Sequence, residues 1–192
     1  MGQPRFYLDV GSNDGEELSN TKALDDRGWK GICVDPFPKN FEKRTCNLHR
    51  RAVASSKRNV TFVIADVLSG ITDHLDTFKE ATKDSDRVVL ETALLHDLLE
   101  ESNAPPFIDY FSLDTEGSEK DILESFPFWK YTFGLISVEH NFEEPKRSQI
   151  RSILKRNGYR LHKKVEFDDW YMKEMYIPAF PKAHESKHSI EK

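Results

Sequence analysis

Short apolar runs that end in an acid and break into a polar turn recur along the chain. The first, Phe6 to Val10, is rich in β-formers and gives way to Gly11-Ser12-Asn13-Asp14-Gly15 and then to helix formers. That pattern predicts a buried parallel strand, a glycine-bounded turn and a helix over 16–27 closed by Gly28. Trp29 to Asp35 repeats the design and is stopped by Pro36-Phe37-Pro38. A short helix over 40–44 and a third strand over 48–54 extend the order to β-α-β-α-β. Val60 to Val67 alternates as an added strand or hairpin beside the third. The polar stretch 68–86 reads as a mobile, substrate-facing loop, and 88–92 as a short strand before a helix over 93–101. The second half resumes the alternation: a strand over 108–114 ending in Asp114, a helix over 119–126, and a strand over 134–140 ending in Glu139-His140. A helix over 148–156, capped by Asn157-Gly158, leads into an antiparallel pair over 159–165 and 169–177. No repeat interrupts this, so one domain is expected over 1–180, with a polar, disordered tail over 181–192.

Composition narrows the classes. A chain of 192 residues can bury one sizeable core, and 38% hydrophobic with 32% charged residues is typical of a globular protein. No apolar run is long enough to span a bilayer. Met1 to Arg5 contains no apolar signal region, so nothing there marks export. Cys33 and Cys46 fit neither a disulfide framework nor a metal-binding spacing, which suggests a reduced, cytoplasmic setting. The net charge of -5 argues against a nucleic-acid partner, although Arg50-Arg51, Lys57-Arg58 and the stretch 146–156 are locally basic. The last of these reads as the solvated face of an amphipathic helix.

The candidate chemistry lies where the predicted strands end. In an open α/β sheet the carboxyl ends of the strands border one crevice, which would gather Asp9, Asp35, Asp114 and Glu139-His140. The first turn lacks the G-x-G-x-x-G spacing of a dinucleotide site, since three residues separate Gly11 from Gly15. Asp9, Asp14, Glu16 and Glu17 would repel a pyrophosphate but suit a ligand carrying an ammonium and a sulfonium, which points to S-adenosylmethionine. Asp35 can accept both ribose hydroxyls, and Phe37 either covers the adenine or belongs to the core. In Asp114-Thr115-Glu116-Gly117 two acids share a tight turn, as metal ligands or a base would. Carboxylates with His140 suit a hard cation such as Mg²⁺ or Mn²⁺. Without one, Glu116 or His140 can take a hydroxyl proton directly, and a structural role for His140 stays open.

Together, 7–15, Val34-Asp35-Pro36, 111–119 and Val138-Glu139-His140-Asn141 resemble the FkbM family of S-adenosylmethionine-dependent methyltransferases. The resemblance implies a Rossmann-like class I methyltransferase fold, α/β with a mostly parallel seven-stranded sheet, helices on both faces and an antiparallel C-terminal pair. It implies methylation of a hydroxyl, often on a sugar or glycan. Asp9, Gly11, Asn13 and Gly15 would line the methionine end of the donor, Asp35 would bind the ribose and Ala52-Val53 would lie near the adenine, with Ser12, Pro36, Phe37 and Asp114 also at the donor site. Similarity to metal-dependent sugar methyltransferases would make Asp114, Glu139 and His140 the metal ligands and Glu116 the base. The sequence also admits a non-catalytic donor-binding module of a larger glycan-assembling protein, or an enzyme methylating an amine or a lipid.

Overall fold

The computed structural model describes residues 5–75 and 78–175. The tail expected over 181–192 and the end of the last predicted strand lie outside the described residues. In chain order the strands are β1 (Phe6–Val10), β2 (Lys30–Val34), β3 (Asn47–His49), β4 (Ala52–Val53), β5 (Asn59–Ile64), β6 (Gly70–Ile71), β7 (Asp86–Ala93), β8 (Phe107–Leu113), β9 (Thr132–Glu139), β10 (Tyr159–Val165) and β11 (Asp168–Lys173). The helices are α1 (Lys22–Asp25), α2 (Leu95–Glu101), α3 (Glu119–Ser125) and α4 (Lys146–Arg156).

Seven strands form the main sheet in the order β10-β11-β9-β8-β1-β2-β3. β9, β8, β1, β2 and β3 run parallel, and β11 runs antiparallel to both β9 and β10. β1 pairs with β2 on one side and with β8 on the other, so chain order reverses across it. That reversal parts the connections at the carboxyl ends and opens a crevice between the turns that follow β1 and β8.

Side chains of a strand alternate between faces. Leu8 and Val10 belong to the apolar cluster that holds Leu98 and Leu99 of α2, Ile122 and Leu123 of α3, and Ile153 and Leu154 of α4. Tyr7 and Asp9 therefore face the other way, where they meet Arg44 and Thr21.

Four expectations need correction. The helix over 16–27 shrinks to Lys22–Asp25, because Asp14 Oδ1 takes the Glu16 and Glu17 amides and Ser19 Oγ takes those of Thr21 and Lys22. Short polar side chains compete in this way with helical backbone bonds. No helix forms over 40–44, which is a turn closed by Arg44 N–H on Phe41 O. The single strand over 48–54 is two, divided at Arg50-Arg51, and β4 leaves the main sheet for a second one ordered β4-β7-β5-β6. That sheet has a small core of its own, formed by Ala52, Ala54, Val60, Phe62 and Ile71.

The fourth correction concerns the cysteines. Cys33 of β2 and Cys46 are joined in a disulfide, with Cα atoms 5.9 Å apart. The strand and the returning loop bring together two residues whose spacing resembles no framework, and the cysteine argument for a reduced, cytoplasmic setting falls with it.

Candidate active site

A cleft of about 660 Å³ lies over the carboxyl ends of β1, β2, β8 and β9. It has two halves, built differently.

The turn after β1 forms the first half. Gly11 has φ +81, and a Cβ there would stand 1.5 Å from the Asp114 carbonyl oxygen. Only glycine lets the two strand ends approach this closely. The Gly11 and Ser12 amides bond to the Val34 carbonyl, tying the turn to β2. Asn13, at φ 32, adopts the left-handed conformation that asparagine tolerates. Its amide donates to Asp35 Oδ2 at 3.0 Å, while the Phe37 amide donates to Asp35 Oδ1 at 2.7 Å. Burial raises the pKa of Asp35 above its ordinary value against the pull of these two amides. Each oxygen keeps a lone pair for a ligand. Asp9, buried, accepts Thr21 Oγ1 at 2.5 Å, and burial carries its pKa to about 6.

Behind this half lies a cation that the sequence reading missed. The Arg44 and Asp25 side chains are 1% and 3% exposed and pair at 2.8 Å. Arg44 also donates to Gly15 O, Ser19 Oγ, Thr21 Oγ1 and Tyr7 Oη, knitting together the back of the turn. Nothing in the local sequence separates this arginine from its solvated neighbours; its partners are all distant in sequence. Gly15 does not line the cleft. Its amide bonds to Lys39 O, and a Cβ there would stand 2.5 Å from Asn40 O. Phe37 is likewise behind the wall, its ring 5.7 Å from that of Phe62, which does line the cleft with Pro36, Ala52 and Val53.

The second half is a crowd of carboxylates. Oxygens of Asp114, Glu116 and Glu139 lie within 4.8 Å of one another. Glu116, at φ 54, is held in the left-handed region in which non-glycine residues are strained. Gly117 beside it has φ +118, and a Cβ would stand 2.3 Å from His74 O. The turn is shaped from within by Glu119, whose Oε1 accepts the Thr115 and Gly117 amides. Asn141 Nδ2 donates to Glu139 Oε2 at 2.9 Å and to Glu116 Oε2 at 3.3 Å. Burial, then the neighbouring Asp114 charge, lifts Glu116 to about 8. Glu139 rises to about 7 through burial and Glu116, and Asp114 rises well above its ordinary value through burial and Glu139. These groups share protons unless a cation replaces them.

His140 does not join them. Its Nδ1 accepts the Phe142 amide at 3.0 Å, and its Nε2 lies 3.6 Å from Asp169 Oδ1, away from the cleft. Successive residues leave an extended strand on opposite sides, so Glu139 and His140 could not both face the crevice. Burial and then Arg147 lower the pKa of His140. Asp169 is buried too, yet its bonds to Arg147 and Arg151 outweigh that and hold it at about 2. Two arginines of the helix read as a solvated face thus serve a buried acid.

Sequence reasoning looks to the C-terminal strand pair for acceptor specificity but singles out no residue there; in the structure Glu166, Phe167 and Asp168 of the β10–β11 turn line the cleft. Asp168 pairs in register with Glu139, and this cross-strand neighbour is invisible before the sheet order is known. The stretch 68–86 does reach the cleft, through Leu68, Ser69, Ile71 and Phe78. Two buried polar atoms of the lining, Ser12 Oγ and Asp114 Oδ1, have no hydrogen-bond partner among the described residues. Buried polar groups are normally satisfied, and a ligand, an ion or water in the cleft would supply the missing partner.

No helix among the described residues is long and apolar enough to cross a membrane. The family model described as the methyltransferase FkbM domain matches residues 9–161. No protein of curated function and no solved structure matches the chain.

Proposed function

The chain belongs to the FkbM methyltransferase family, and on that premise we propose that it transfers the methyl group of S-adenosylmethionine to a hydroxyl of a sugar or glycan. The observation that carries this is the division of one cleft into a half with prepared hydrogen-bond acceptors and a half with a carboxylate of raised pKa. Gly11, Ser12 and Asn13 cradle the methionine end, Asp35 takes the ribose hydroxyls, and Ala52 and Val53 border the adenine. The acceptor oxygen attacks the methyl carbon in line as the carbon–sulfur bond breaks and S-adenosylhomocysteine leaves. Glu116 Oε removes the hydroxyl proton. A base with a pKa of about 8 is far stronger than an ordinary carboxylate, and the fraction that has lost its own proton grows as pH rises toward 8. Asn141 positions it. Aligning the two reactants supplies much of the rate.

The three carboxylates also fit a hard divalent cation, with Asp114 Oδ1 lacking any other partner. Asp114, Glu116 and Glu139 would hold Mg²⁺ or Mn²⁺, without His140, and the ion would acidify a bound hydroxyl.

The test is transfer from methyl-labelled donor to a panel of glycosides, with mass spectrometry of the product. Label on a hydroxyl oxygen is expected, and lost in Glu116→Ala. Label on nitrogen or lipid, or undiminished turnover in Glu116→Ala, would reject the reading.

A further inference from the structure

The charges that line the cleft restrict what can enter it. Among the described residues ten acids line it against one basic residue, Arg51, which is exposed and adjoins Ala52 on the β4 side. In the β8–β9 half no lysine, arginine or histidine lines the wall among the described residues.

The β10–β11 turn adds to this. Glu166 and Asp168 flank Phe167, and neither acid makes an ion pair among the described residues. Asp168 stands in register beside Glu139. Phe167 and Phe142 are 55% and 58% exposed, with ring centroids 5.6 Å apart. Large apolar side chains left open at the rim of a polar cleft mark a contact for a ligand. Phe142 already carries the Arg147 guanidinium at 5.9 Å, on a residue whose charge is committed to Asp169. Phe167 has no cation over its ring among the described residues. An aromatic face between two unpaired carboxylates is the arrangement that attracts an ammonium. Asp114 Oδ1, buried and without a partner, adds an acceptor deeper in the same half.

We propose that Glu166, Phe167 and Asp168 select an acceptor bearing an ammonium group on the same molecule as the methylated hydroxyl, such as an amino sugar or amino alcohol. This rests on the hydroxyl-methylation reading and narrows it. Sugar phosphates and nucleotide sugars are excluded by repulsion from the same carboxylates. A divalent ion bound by Asp114, Glu116 and Glu139 would leave Glu166 and Asp168 uncompensated, so the preference holds with or without it.

The experiment titrates glucosamine, glucose and glucose 6-phosphate into the full chain saturated with S-adenosylhomocysteine, by calorimetry or ligand-observed NMR. Glucosamine should bind about tenfold more tightly than glucose, and the phosphate most weakly. Asp168→Asn and Phe167→Leu should each shrink the glucosamine advantage to about twofold or less. Equal binding of glucosamine and glucose, tolerance of the phosphate, binding of none of the three, or a preference untouched by both substitutions overturns the proposal. The S-adenosylhomocysteine titration reports separately on the donor reading. Should it fail, the three probes are titrated into the unliganded protein, where the same order is expected and the same outcomes overturn it.

Discussion

The two halves of the cleft hold similar numbers of acids and treat them in opposite ways. In the half built by β1 and β2 the acids at the strand ends and the turn have donors: Thr21 for Asp9, two backbone amides for Asp35, and the Glu16 and Glu17 amides with Asn40 for Asp14. Arg44 braces the turn from behind. In the half built by β8, β9 and β11 the acids face one another, with Asn141 as the shared donor of Glu116 and Glu139. The first half is finished before any ligand arrives. The second stores electrostatic cost that protons, a cation or an acceptor can relieve. On the proposed reading the donor meets a fixed mould and the reacting proton meets a group of unsettled charge.

The sharpest way to separate the halves is Glu116→Gln. It keeps shape and removes the proposed base, so turnover should fall by roughly 10²- to 10⁴-fold while S-adenosylhomocysteine binds as before. In the wild type, turnover should climb with pH and level off above about 8, since Glu116 accepts a proton only once its own is lost. Comparable loss of donor affinity in the variant would dissolve the distinction.

Arg44→Met attacks the bracing of the first half. It strands Asp25 as a buried, unpaired charge, at a cost of about 3–5 kcal/mol measured by denaturant unfolding. A loss below about 1 kcal/mol, the worth of a surface pair, would mean the network contributes little. Asp35→Ala should leave the fold intact and weaken donor binding by about 1.5–3 kcal/mol, the worth of hydrogen bonds to a charged group, read by calorimetry.

The smallest effect is thermal. Glu116 keeps its proton up to about 8 when folded but only to about 4.5 when unfolded. Its stabilising contribution is therefore complete below about 4.5 and lost as pH rises through 8. Glu116→Gln escapes that loss, so its Tm should gain on the wild type between pH 5 and pH 9, by about 2–4 °C for each kcal/mol the wild type loses. The opposite trend would show that the carboxyl is not raised.

The sequence makes the first half more legible than the second, for a physical reason. Gly11, Asn13 and Asp35 stand at the carboxyl ends of two strands that a β-α-β unit makes neighbours, so their types and their places after apolar runs carry the information. Arg44 acts through partners far along the chain, and only the folded loop reveals it. The strand ends placed Asp114, Glu116 and Glu139 together, but strand alternation sends His140 to the opposite side, where Asp169 and two arginines of α4 await it. Glu166 to Asp168 reach the cleft only because β11 inserts between β9 and β10. The disulfide likewise depends on how the loop after β2 folds back.

The central claim is that a single adenosyl donor spans the cleft from Asp35 to the Gly11 turn. A crystal structure with S-adenosylhomocysteine tests it directly. The ribose hydroxyls should lie within hydrogen-bond distance of Asp35, with the sulfur between the Gly11 turn and the carboxylates of Asp114 and Glu116. A ligand seated elsewhere, or with its ribose away from Asp35, would contradict the account.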